Sequence, residues 1–138
     1  MATFLLEPSY FQERVKQEIA RSKRSGVTFA VAVFTIVPDY GEHPEVACVR
    51  ALPPLLEQVR ETDSVCRISD DSIAVLLVDA DASGSRTAAS RLVAGLRQHA
   101  SRWDMRIVEH REAPEIFADL GLSPDDRYTA PASARSPR

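Results

Sequence analysis

Arg60 and Asp63 stand three residues apart at the head of the run RETDSVCRISDDSIAVLL, residues 60–77. A guanidinium offers a planar fork of donors suited to phosphate oxygens or the edge of a nucleobase, and a carboxylate accepts what that edge donates. The same two residues also suit a plain surface ion pair at the end of a helix, worth about 0–1 kcal/mol. Spacing alone does not choose between these. With 15 arginines and ten aspartates in 138 residues, about one such pair arises by chance, and Arg67 with Asp70 is a second. Asp70 and Asp71 are adjacent acids between two apolar runs, where acids ordinarily shape a turn and face solvent. His43, His99 and His110 are scattered without metal-ligand spacing, and Cys48 and Cys66 form no CxxC pair. No glycine-rich phosphate loop or nucleophile elbow occurs. The residues therefore predict no catalytic set, no metal site and no cofactor.

The elements that would hold the pair are legible from periodicity. Residues 9–25 read as a helix, with Ser9 and Gln12 as a capping box, Phe11, Val15 and Ile19 at four-residue spacing, and Gly26 as a stop. Residues 27–37, VTFAVAVFTIV, form a nearly unbroken apolar run, which predicts a strand covered on both faces and central in its sheet. PDYGEHP is a loop by composition. Residues 45–60 show helical spacing at Val46, Val49, Leu52, Leu56 and Val59, and Pro53-Pro54 predict a kink or two short helices. Residues 64–68 and 72–78 are two β runs around the turn Ser69-Asp70-Asp71, a hairpin pattern in which Arg67 reads as a solvated strand residue.

A loop over residues 79–84 precedes a helix at 85–99, with Ala88, Ala89, Leu92, Val93 and Leu96 inward. A short strand at 105–108 and one or two helical turns at 114–120 complete the pattern, with Trp103 at the core edge. Residues 123–138, SPDDRYTAPASARSPR, have almost nothing to bury and read as a disordered tail. The expectation is one α+β domain over residues 1–122, with helices packed on a mixed central sheet, followed by that tail.

Bulk properties narrow the class. A net charge of −3 gives no general attraction to nucleic acid or anionic membrane. The N-terminus lacks a signal-peptide pattern, and no apolar stretch approaches the ~20 residues of a membrane helix. Two cysteines in unrelated contexts read as buried, reduced thiols, so the expected location is the cytoplasm.

Run by run, the chain resembles the GGDEF domains of diguanylate cyclases over roughly residues 9–108, most closely from 60 to 96. The helix FQERVKQEIARSKRSG with its apolar strand looks like the family's start; RETDSVCRISDDSIAVLLVDAD matches the family hairpin without a gap; SRTAASRLVAGLRQHA looks like the helix after it. The resemblance implies a GGDEF-like, ferredoxin-like palm. It also implies a lost activity. The Gly-Gly-Asp-Glu-Phe signature falls on Ser69, Asp70, Asp71, Ser72 and Ile73, so only Asp71 is kept. The family's other metal-binding carboxylate, at the end of the first strand, is matched by Thr35, and its guanine-binding residues have no clear counterpart in PDYGEHP. Cyclases need both carboxylates to hold Mg²⁺ against a triphosphate, so the chain is expected not to be an enzyme.

What the resemblance keeps is the family's product-inhibition site. Its Arg-x-x-Asp ends five residues before the signature, where Arg60 and Asp63 stand, and its further arginine on the following helix is matched by Arg91. This implies a cyclic di-GMP site of Arg60, Asp63 and Arg91. With no sensor or output domain in the chain, a signal would pass to another protein, or to a homodimer partner bridged by intercalated ligand. The alternative is a ligand-independent interaction or dimerisation module built on a dead cyclase fold.

Overall fold

The computed structural model describes residues 5–97 and 102–109. Its elements run β1 (Leu5–Leu6), α1 (Pro8–Ser25), β2 (Phe29–Val37), α2 (Pro44–Gln58), β3 (Ser64–Arg67), β4 (Ser72–Val78), α3 (Ala82–Leu96) and β5 (Arg102–Glu109). The strands form a single mixed sheet in the order β1-β3-β4-β2-β5. β1 lies parallel to β3, and all other pairs are antiparallel.

The unbroken apolar run of β2 follows from its place between β4 and β5, with a core on each face. Ala32, Phe34 and Ile36 face α2 and α3, together with Ile73, Val75 and Leu77 of β4. Phe29, Val31 and Val33 face α1 with Ala74, Leu76 and Val78, where Phe11 and Val15 close the layer. Alternate side chains of each strand thus enter opposite cores. α2 and α3 meet closely at Gly95, where an added Cβ would lie 3.1 Å from the Pro54 carbonyl oxygen.

Several boundaries differ from the sequence expectation. α1 begins one residue earlier, with Pro8 at its first position and Glu7 as the cap residue, and no side-chain capping bond forms. A proline there has no N–H to satisfy, which weakens the need for the Ser9 box. Gly26 ends the helix at φ 78°, a left-handed turn that glycine adopts without steric cost.

α2 neither splits nor divides at the prolines: one helix runs from Pro44 to Gln58, capped by the His43 ring accepting from the Glu45 N–H. Its buried face is also rotated from the expected one. Ala47, Cys48, Ala51, Leu52 and Leu55 are inside, whereas Val46 and Val49 are 56% and 51% exposed. Small residues at 47, 48 and 51 let the helix lie close to the sheet, so size rather than apolarity selects the face.

α3 starts at Ala82, with the Asp81 carboxylate accepting from the Gly84 N–H, and β5 extends over residues 102–109. β1 has only two residues and carries no periodic signal. The helical turn expected at 114–120, the domain boundary at 122 and the tail at 123–138 lie outside the described residues. Among the described residues, no helix is long and apolar enough to cross a membrane.

Candidate functional site

Five residues join α2 to β3, and the turn closes with the Asp63 N–H donating to the Arg60 carbonyl at 3.0 Å. β3 begins at Ser64, opposite Leu76. Beyond that pair the edge of β4 has no β3 residue to bond. The side chains of Arg60 and Asp63 take that role. One Asp63 oxygen accepts from the Val78 N–H at 3.3 Å, and the Arg60 Nη2 donates to the Val78 carbonyl at 2.8 Å. The two side chains also bind each other, Nη2 to Oδ1 at 3.3 Å and Nε to Oδ2 at 3.4 Å, while Oδ2 accepts from the Arg60 N–H at 3.2 Å. The pair acts as a side-chain substitute for one more rung of the β3–β4 ladder.

This fixes the environment of each partner. The Asp63 side chain is fully enclosed, whereas Arg60 keeps about half of its side chain, 49%, in solvent. Arg91, near the middle of α3, reaches the same corner from the other side. Its Nε donates to the Gln58 carbonyl at 2.9 Å, in the last turn of α2, where a cation suits the helix dipole. Its Nη2 is buried without a hydrogen-bond partner. The structure therefore brings the three sequence-predicted residues to one place, the C-terminal end of α2. Arg91 bonds the last turn of α2 and Arg60 follows that turn by two residues, its guanidinium held at the end of β4 with the enclosed carboxylate.

The hairpin turn is tied differently. The Ile68 N–H donates to the Ser72 carbonyl at 2.9 Å, and one Asp71 oxygen accepts from the hydroxyls of Ser69 (2.9 Å) and Ser72 (3.1 Å). The Thr35 and Ser72 hydroxyls face each other at 3.4 Å across the β2–β4 ladder. Asp70 and Asp71 both stand at this tip; Asp70 is engaged by the Arg67 guanidinium and Asp71 by two hydroxyls. β2 carries no carboxylate and supplies the Thr35 hydroxyl in its place. Among the described residues, no cluster of His, Cys, Asp and Glu could hold a metal ion.

Arg67 was expected in solvent and is not. Its Nε donates to the Ser69 carbonyl at 3.1 Å, and its Nη2 reaches both Asp70 and Glu45 at 3.3 Å. It ties the turn to the start of α2. The Arg67–Asp70 spacing was visible in the sequence as a second Arg-x-x-Asp, but Glu45 is distant along the chain and gave no signal.

No protein-family model matches the chain, and no curated protein matches its sequence. Solved structures do match its fold. A DGC protein from Thermotoga maritima superposes with a TM-score of 0.72 at 18% identity, over 86% of this chain and 95% of that one. The GGDEF domain of YfiN from Pseudomonas aeruginosa gives 0.71 at 19% identity, over 85% and 86%. Diguanylate cyclase SiaD, solved in complex with its activator SiaC from the same species, gives 0.68 at 19% identity, over 85% of this chain and 55% of that one. The architecture is thus the GGDEF-like α+β fold, a five-stranded mixed sheet with helices packed on it.

Proposed function

We propose that this protein is a catalytically inactive, GGDEF-like receptor for cyclic di-GMP that signals through contact with another protein. The observation that carries the reading is that Arg91 of α3 anchors on the Gln58 carbonyl at the end of α2, two residues before Arg60, whose own guanidinium is held at the end of β4. The Arg60 fork is held by Asp63 and the Val78 carbonyl while half of its side chain remains in solvent. A guanidinium held in this way is suited to a guanine O6/N7 edge or a phosphate. In this reading the arginines touch the ligand, and the enclosed Asp63 positions Arg60. Inactivity as a cyclase is supported by the hydroxyl pair Thr35–Ser72 on strands without a carboxylate, and by the engagement of Asp71 with two hydroxyls and of Asp70 with Arg67; incubation with GTP and Mg²⁺ should yield no cyclic product.

Calorimetric titration with cyclic di-GMP tests the binding. Each charged hydrogen bond contributes on the order of 1.5–3 kcal/mol, so Arg60→Ala and Arg91→Ala should each weaken affinity about tenfold to a hundredfold. Absence of heat at high micromolar ligand, or an affinity untouched by both variants, would sink the proposal.

A second reading, a ligand-independent interaction or dimerisation module, is favoured by the enclosure of Asp63. Its bonds to Arg60 and Val78 give the Arg-x-x-Asp pair a structural task that needs no ligand. That reading predicts a silent titration and partner binding that survives Arg91→Ala.

A further inference from the structure

On the side of α3 away from the Arg91–Gln58 contact, a groove of about 440 Å³ runs between this helix and β5. Ala89, Val93, Met105 and Ile107 line it, with Arg86 and Arg97 at its ends. Val93, Met105 and Ile107 are half-buried and continuous with the core between the sheet and the α2–α3 layer, so the floor is an unfinished edge of that core. β5 is the last strand of the sheet, paired on one side only among the described residues. Arg86 and Arg97 are both exposed, and neither has an ion-pair partner among the described residues. This contrasts with Arg14, Arg21, Arg50, Arg60 and Arg67, each paired with a carboxylate. Eleven positions of α-helix separate the two, placing their Cα atoms about 16 Å apart along the axis.

We infer that this groove docks an amphipathic helix of a partner protein, one that carries a carboxylate in its first turn and another about three turns later, with bulky apolar residues on the face between. The apolar floor would take the bulky side chains, and the two guanidinium groups would meet the carboxylates, fixing register. A second copy of this chain fits less well, because a two-fold contact of this face with itself opposes arginine to arginine. Nucleic acid fits less well too, since an apolar trough with two cations, on a protein of net charge −3, offers no phosphate track. The inference is independent of cyclic di-GMP binding: none of these residues touches Arg60, Asp63 or Arg91 in a bond described above.

The test uses the full chain and a fluorescein-labelled, helix-forming peptide with glutamate in its first and last turns and leucine and phenylalanine on the face between. Fluorescence anisotropy should show saturable binding, weakened about tenfold or more by Arg86→Glu and by Arg97→Glu. Binding should also be lost when the glutamates of the peptide become lysines. Both arginines are exposed, so unchanged thermal melts of the variants would verify that folding is intact. No saturable binding, or binding indifferent to both charge reversals, overturns the inference. So does a concentration-dependent dimer in sedimentation that Arg97→Glu abolishes, since the groove would then belong to a second copy.

Discussion

Asp63 shows how one enclosed carboxylate governs a corner of the molecule. It accepts from the Val78 N–H, the Arg60 N–H and the Arg60 guanidinium, with no surface in solvent. Asp63→Ala strands the Val78 N–H and releases Arg60, which should cost about 1–3 kcal/mol, because an unmet buried donor loses its full solvation. Urea titration should show a lower midpoint with an unchanged slope. Arg60→Ala should also destabilise, because it takes the cation away from a fully enclosed carboxylate. A urea midpoint unchanged in both variants would contradict the side-chain rung described above. The position of this pair was legible from its distance to the hairpin. Its inward orientation was not, because it depends on Val78, fifteen residues further on. Arg67 was misjudged for the same reason: Glu45, its second anchor, is remote in sequence.

Among the elements, α2 carries the clearest tension between local preference and packing. Proline at 53 and 54 removes two helical donors, yet the helix continues to Gln58. Pro54 is buried against α3, while Pro53 is exposed. Pro53→Ala should therefore stabilise the fold by about 1–2 kcal/mol, the recovered helical bond outweighing the more flexible unfolded chain. Pro54→Ala should gain less, because it also removes buried contacts. Thermal melts of the two variants would check the ranking. The strands were the easier elements to read. β2 announced its two-sided burial by an unbroken apolar run, β4 its strand by an apolar run, and the Ser69–Asp71 turn announced itself by its polarity. The buried face of α2 was not readable, since Val46 and Val49 obey helical spacing as well as Ala47, Cys48 and Ala51 do. Close approach to the sheet decided it.

For the molecule as a whole, the sheet separates two cores, and each holds one thiol. Cys48 lies in the layer beneath α2 and α3, Cys66 in the layer beneath α1. Burial pushes the Cys48 thiol up to about 11 and the Cys66 thiol up to about 12. Both groups are harder to ionise folded than unfolded, so their contribution is fully present below the ordinary thiol value near 9 and is lost as pH rises through 11 and 12. The urea midpoint should accordingly decline from pH 9 upward. Neither thiol should react with Ellman's reagent at pH 8 until the chain is unfolded; rapid labelling of the native protein would show that one core is open. A core on each face was implicit in the unbroken apolar run of β2. The order of strands across the sheet was not, because pairing is a non-local choice.

That order has a mechanical consequence. β1 and β5 lie at opposite edges, four strand spacings or about 19 Å apart, so a pull between Leu5 and Glu109 must be carried across every strand of the sheet. The links are unequal. β5 is joined to β2 through eight residue pairs, from Ala30–Glu109 to Val37–Arg102, whereas β1 is joined to β3 through Leu5–Val65 and Leu6–Cys66 alone. Under load the two-residue seam peels first, a mechanical fuse that spares the α2–β3 loop and its Arg60–Asp63 pair.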